Sequence, residues 1–161
     1  MQFSKSTDYA LHALIHLGLS ERNNNIGIKE LSATLGVSET YLSKIMSKLR
    51  QDGIVRAVPG VNGGYELAKS PEQITFLDVI QVIEGRQHLF ECSNTSSRQH
   101  EVLAEAEDDQ GDSIRPRKNG CLVEKVMLGA EQHMHQYLRE YTIQYVLDEA
   151  SKHCNHAQNK K

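Results

Sequence analysis

The sequence predicts a mainly α-helical fold with one small β-hairpin and a long C-terminal helix, and three features carry that prediction. Two short stretches of helical periodicity meet at Leu35-Gly36-Val37-Ser38. A glycine-rich turn, Pro59-Gly60-Val61-Asn62-Gly63-Gly64, separates two strand-like runs. From Cys121 onward, Val123, Val126, Ala130, Met134, Tyr137 and Tyr141 recur at steps of three and four. A chain of 161 residues can bury enough surface for one compact domain with an appended helix.

Ser4 or Ser6 is placed to cap a first helix, whose Ala10, Leu11, Leu14, Ile15 and Leu17 form one apolar face. Asn23-Asn24-Asn25 and Gly27 make a polar turn, after which Ile28, Leu31 and Leu35 line a short helix stopped by Gly36. Ser38 stands at the next N-cap, followed by Tyr41, Leu42, Ile45, Met46 and Leu49 at helical spacing and by Gly53 at the stop. These two helices make a helix-turn-helix. Ile54 to Val58 and Tyr65 to Leu67 are expected to pair as strands around the glycine turn, giving a wing. A capped helix from about Thr75 to Glu84, with Phe76, Val79, Ile80 and Ile83 inward and Gly85 at its end, closes the module.

The expected organisation is a winged helix-turn-helix over 1–87, a cysteine-bearing flexible sensor loop over 88–120, a dimerisation helix region over 121–150 and a polar tail over 151–161. Residues 93–120 hold few apolar positions, two glycines, a proline and an acid run, the composition of a flexible loop. Thr142 is placed to cap a separate final helix reaching Ala150, with a frayed tail from Ser151.

Composition narrows the function classes. The hydrophobic share is 39%, and no apolar stretch approaches the roughly 20 residues of a membrane-spanning helix. The N-terminus shows neither a secretory core nor a cleavage site, so a cytoplasmic protein is expected. Cys92, Cys121 and Cys154 are an odd, widely spaced set that suits reactive thiols or metal ligands better than a disulfide framework. The net charge of −3 argues against nucleic-acid binding until its distribution is considered: residues 1–60 hold seven Lys/Arg against five Asp/Glu, and Glu101 to Asp112 holds six acids and no base. The acid lies away from the two-helix motif. No nucleophile–base pair, phosphate-binding glycine loop or zinc motif stands in a supporting context, so an enzyme is not expected.

A helix-turn-helix reads double-stranded DNA because its second helix fits the major groove, with N-terminal residues at base edges and flanking groups on phosphates. Those positions here are Ser38, Glu39, Thr40, Tyr41, Ser43 and Lys44, with Ser47, Lys48 and Arg50 further along the exposed side as phosphate contacts. The wing would present backbone amides and Asn62 to a phosphate or to the minor groove, whereas Gly60, Gly63 and Gly64 serve the turn equally well. A protein-binding winged helix and a sequence-independent nucleic-acid binder are the competing readings.

Taken together, Ser6-Thr7-Asp8-Tyr9-Ala10-Leu11, Ile28-Lys29-Glu30-Leu31, Val37-Ser38-Glu39-Thr40-Tyr41-Leu42, Leu49-Arg50-Gln51-Asp52-Gly53-Ile54-Val55, Gly60-Val61-Asn62-Gly63-Gly64-Tyr65-Glu66-Leu67 and Ile74-Thr75 leading to Val82-Ile83-Glu84-Gly85 resemble the winged-helix regulators that include IscR, NsrR and CymR, the Rrf-two family. The resemblance covers most of the chain. It implies a homodimer on a partly palindromic operator, usually a repressor, with dimer contacts from the long helix that begins near Cys121. Two positions depart from it. Pro59 stands where family wings commonly carry an arginine, so Arg56 is the candidate substitute and joins Gly60, Asn62, Gly63, Gly64 and Tyr65 as the expected DNA contacts of the wing, and Ser43 stands where cluster-binding members often carry a glutamate, which implies a different operator preference.

The same resemblance places Cys92 and Cys121 at the first and last of three cysteines that hold an iron-sulfur cluster in some members; the middle one is absent, so His88, Glu91, His100 or a partner subunit would complete the set. The alternative needs no cofactor: Cys92 and Cys121 act as a thiol/disulfide switch, with Cys121 reacting first because it lies at a helix N-terminus. A regulatory protein partner docking on the acidic run is a third input, against which stands a plain solvated linker. Cys154 with His153 and His156, and His12 with His16, are read as surface residues and not as metal sites.

Overall fold

The computed structural model describes residues 2–20, 25–103 and 121–158. Seven α-helices and one hairpin are seen among them: α1 (Lys5–Leu19), α2 (Ile28–Leu35), α3 (Glu39–Gln51), β1 (Val55–Val58), β2 (Gly64–Leu67), α4 (Phe76–Glu84), α5 (Arg98–Leu103), α6 (Leu122–Glu140) and α7 (Ile143–Gln158). They divide into two compact units, one of residues 1–86 with 137–161 and the other of residues 87–136.

In the larger unit, α1 buries Thr7, Ala10, Ala13, Leu14 and Leu17, the three-and-four spacing that its sequence carries. Ser4 is its N-cap residue but makes no side-chain cap bond. Gly36 ends α2 at φ 64, a left-handed conformation that glycine adopts without a Cβ penalty. Ser38 begins α3 by accepting a hydrogen bond from the Tyr41 backbone N–H, and Leu42, Ile45, Met46 and Leu49 turn inward. Thr75 and Asp78 form a reciprocal capping box at the start of α4. Leu14, Leu31, Leu42, Met46, Leu49, Ile54, Val79 and Ile143 are fully buried together, each worth roughly 1.5–3 kcal/mol of transfer free energy.

The hairpin is antiparallel, with Val55 opposite Leu67, Arg56 opposite Glu66, Ala57 opposite Tyr65 and Val58 opposite Gly64. Ile26 extends it: Ile26 N–H donates to Tyr65 O and Tyr65 N–H to Ile26 O, each at 2.9 Å. The stretch before α2 therefore carries a third, one-residue rung.

Residues after Tyr141 also join this unit. Phe76 N–H donates to Tyr141 O and Ile143 N–H to Ile74 O, and buried Leu147 lies so close to Gly18 that a Cβ there would meet it at 2.8 Å. The final helix, expected as part of a dimerisation region ending at Ala150, thus helps close the helix-turn-helix core. It continues to Gln158, where a frayed tail from Ser151 was expected. Its Thr142 does cap it, accepting from Tyr145 N–H.

The smaller unit contains α5 and most of α6. The expected flexible loop over 93–120 holds a short helix at Arg98–Leu103; its acidic part from 104 on, like Asn23 and Asn24, lies outside the described residues. Glu131 is buried at 6% exposure and accepts from the Leu89 backbone N–H at 3.1 Å, with His88 and His135 beside it. Among the described residues no helix is long and apolar enough to cross a membrane.

Candidate nucleic-acid interface

The helix α3 has an open side because its apolar residues occupy one stripe only. Thr40, Lys44, Arg50 and Gln51 are exposed and Ser43 and Ser47 half-exposed, positions that recur at three and four and form one face opposite Leu42, Ile45, Met46 and Leu49. Ser38 and Glu39 stand at its exposed N-terminal end, where backbone amides and the helix dipole favour an anion. Lys44 and Arg50 put two cations on a helix of 13 residues, about 20 Å long, a fit to one turn of groove.

Besides the Ser38 cap and the glycines of the turn, Tyr41, Lys48, Arg56 and Tyr65 among the sequence-predicted contact residues are engaged within the protein. The Tyr41 hydroxyl shares a hydrogen bond of 2.7 Å with Ser6 Oγ, and its ring stands edge-on to Tyr9 at 5.9 Å, so it fastens α3 to α1. Lys48 Nζ donates to Ile83 O at 3.1 Å. Arg56 Nε pairs with Glu66 Oε1 at 2.6 Å across the hairpin. Tyr65 gives both backbone groups to Ile26.

The wing is built by its glycines. Gly60 has φ 118. A Cβ on Gly63 would lie 2.3 Å from Val58 O, and one on Gly64 would lie 2.5 Å from the Ile26 carbonyl, so only glycine lets the turn close and Ile26 approach. Gly63 N–H donates to Gly60 O and is not offered outward, which corrects the expectation of a freely presented amide there. Asn62 is exposed, as expected. Val61, unremarked in the sequence, is 105% exposed at the tip.

Sequence reasoning also missed a polar knot at the end of α4. Glu84 Oε1 accepts from the Ser4 backbone N–H at 2.7 Å and from the Thr7 hydroxyl, while Lys48 lies close by. The Thr7 hydrogen bond holds the Glu84 carboxyl below its ordinary range; burial, the next effect in size, opposes it, and the Ser4 hydrogen bonds and the Lys48 charge add to the lowering. The only signal in the sequence was the Ile83-Glu84-Gly85 helix stop.

In the smaller unit, Cys121 immediately precedes α6, and its carbonyl accepts from Lys125 N–H at 2.9 Å. Its side chain is 3% exposed, whereas Cys92 is half-buried, and both are free thiols. The Cys92 backbone N–H donates to Glu124 Oε1 at 3.4 Å, and Glu124 is three residues beyond Cys121, so the Cys92 backbone is tied to the first turn of α6. The Cys154 side chain lies outside what is described. Among the described residues no group of three or more His, Cys, Asp or Glu side chains is arranged to hold a metal ion.

The Rrf2 family model, described as an iron-dependent transcriptional regulator, matches residues 3–149. The chain is 37% identical over 92 residues to the transcriptional regulator NsrR of Geobacillus kaustophilus, a span of 57% of this chain and 63% of that protein. Among solved structures it superposes on CymR, the global cysteine regulator of B. subtilis, with a TM-score of 0.68 at 23% identity, covering 92% of this chain and 98% of that one. With T. potens IscR the TM-score is 0.66 at 22% identity, covering 93% and 88%. Both superpositions bear on the fold: a winged helix with further C-terminal helices.

Proposed function

From the premise that this chain belongs to the Rrf2 family of transcriptional regulators, and is a DNA-binding regulator and not an enzyme, we propose that it is a cytoplasmic, homodimeric repressor that reads a partly palindromic operator and releases it when Cys92 and Cys121 are oxidised. The observation that carries the DNA-reading half is the open face of α3, capped at Ser38 and bearing Thr40, Ser43, Lys44, Ser47 and Arg50 beside a glycine-built wing. Base-edge contacts are assigned to Glu39, Thr40 and Ser43, and phosphate contacts to Lys44 and Arg50. With Pro59 at the wing and Arg56 paired to Glu66, the wing approaches DNA through Gly60, Val61 and Asn62 and not through an arginine.

The redox half is supported by the Cys92–Glu124 contact, which ties the Cys92 backbone to the first turn of the helix that Cys121 precedes. The helix N-terminus favours Cys121 as the first thiol to react, and relative burial supports the opposite order. Cys92 is the more accessible sulfur and meets peroxide first, forming a sulfenic acid and releasing one water; the Cys121 thiol then displaces the second water and closes the S–S bond. Two electrons leave the sulfurs and reduce the peroxide. The bond would pull on the start of α6, the helix assigned to the dimer contact, and so change the spacing of the two recognition helices.

The test is operator affinity, on duplexes selected from a random pool, before and after peroxide. Oxidised wild type is expected to release DNA and a Cys121→Ser protein to hold it; release by the Cys121→Ser protein equal to that of wild type overturns the switch. A second reading, iron dependence, is favoured by the description of the family. The described residues do not fit it, since two thiols without a third clustered donor are short of a cluster's ligand set. Visible absorption with bound iron and sulfide in protein purified without oxygen would establish it over the thiol switch.

A further inference from the structure

The recognition helix is held against the core by an apolar stripe, and apolar contacts are non-directional: Leu42, Ile45, Met46 and Leu49 fix its depth better than its rotation or slide. Directional bonds supply the rest. At its N-terminal end the Tyr41 hydroxyl binds Ser6. Toward its C-terminal end, Lys48 Nζ reaches the Ile83 carbonyl, one of the carbonyls at the end of α4 that lack an intrahelical partner and carry the negative pole of the dipole. The next residue, Glu84, is fastened to α1 through Ser4 N–H and the buried Thr7 hydroxyl. Asp52, the C-cap of α3, faces Arg86 at 3.8 Å. Three helices thus converge where α4 ends, and Lys48 links the body of α3 to that point.

Resting on the reading of α3 as the DNA-reading helix, we propose that Lys48 is a positioning residue that, together with Glu84, sets the orientation of α3 for operator binding and makes no phosphate contact. Its exposed position and charge suggest a phosphate ligand by sequence alone. Its ammonium is instead directed at the end of α4, leaving Lys44 and Arg50 as the cations of the open face.

The two roles differ in salt dependence. Each phosphate contact adds about 0.9 to the slope of log affinity against log salt, whereas a residue that only orients the helix lowers affinity without changing the slope. The experiment measures affinity of the full chain for a selected operator across a salt series, for wild type, Lys48→Met, Lys48→Arg, Glu84→Gln and Lys44→Met. Lys48→Met is expected to bind about three- to fivefold more weakly, the scale of one partly exposed charged hydrogen bond, at the wild-type slope. Lys48→Arg, which keeps the donor, restores binding. Glu84→Gln weakens it at unchanged slope, and combining it with Lys48→Met adds little. Lys44→Met is expected to lower the slope. A slope reduced by about 0.9 in Lys48→Met, or an unchanged affinity, overturns the proposal while leaving α3 as the reading helix. If Lys48→Met does not fold, Glu84→Gln decides: unchanged affinity in that variant overturns it. A wild-type protein that selects no sequence overturns the reading of α3 and the proposal with it.

Discussion

Glu84 shows how one carboxylate enters the stability of the whole reading module. Its folded-state pKa is depressed, by the Thr7 hydroxyl most and then by Ser4 and Lys48, so its ionised form is favoured by folding. A depressed carboxyl contributes stability that is fully present above the unfolded value, near 4.3 for glutamate, and is lost as pH falls through the folded value. Wild type is therefore expected to melt at a higher temperature than Glu84→Gln at neutral pH, with the gap narrowing only below about pH 4.3 and closing once the folded carboxyl is protonated. Thermal melts of both proteins between pH 7 and pH 3 check this; a gap independent of pH would contradict it. The residue scale is also where sequence legibility was lowest. Tyr41, Lys48 and Arg56 stood at contact positions by helical phase or hairpin location, and phase does not say whether a long polar side chain turns toward solvent or back to a neighbour. Their partners Ser6, Ile83 and Glu66 lie 35, 35 and 10 positions away, beyond any local pattern.

Among the elements, helix starts and stops were legible because each is set by one residue with a local bond. Ser38 and Thr75 cap α3 and α4, and Gly36 and Gly85 end α2 and α4 with positive φ. Removing the capping box by Thr75→Ala is expected to cost about 1 kcal/mol in chemical denaturation and to leave operator affinity unchanged, since the Lys48 and Glu84 contacts lie at the opposite end of α4. The wing behaves differently. Its turn was evident from four glycine-tolerant positions, but its third rung was not, because Ile26 lies in a loop and a single-residue bridge leaves no periodicity to read. Gly64→Ala places a Cβ against the Ile26 backbone, an atom that cannot rotate away. The expected outcome is a loss of about 1–3 kcal/mol, as for overpacking of a tight site, together with weaker operator binding as the wing shifts. Full stability with full binding in Gly64→Ala would show that the Ile26 rung does not hold the wing.

For the whole molecule, the decisive feature is a helix with more apolar surface than its own chain covers. Along α6, Leu122, Val123, Val126, Met127 and Tyr137 are exposed, with Val126 at 70%, and Ala130 lies exposed between them at helical spacing. Scattered exposed hydrophobes are ordinary, but a stripe at steps of three and four over a helix of 19 residues is the pattern that the proposed dimer contact requires. The chain was legible here in its stripe. It was not legible in the role of its end, because Ile143 and Leu147 repeat the same spacing and yet turn into the helix-turn-helix core. The distinction yields paired predictions. Val126→Glu puts a charge into the proposed dimer contact and is expected to sediment as a monomer with its far-ultraviolet spectrum unchanged. Such a monomer reads one half-site, and loss of the linked second site is expected to weaken operator binding on the order of a hundredfold or more. Leu147→Ala instead removes a core side chain beside Gly18 and is expected to cost about 2–5 kcal/mol of stability while the folded protein stays dimeric. Sedimentation and denaturation of the two variants separate the roles: a Val126→Glu protein that remains dimeric at micromolar concentration would move the subunit contact away from α6.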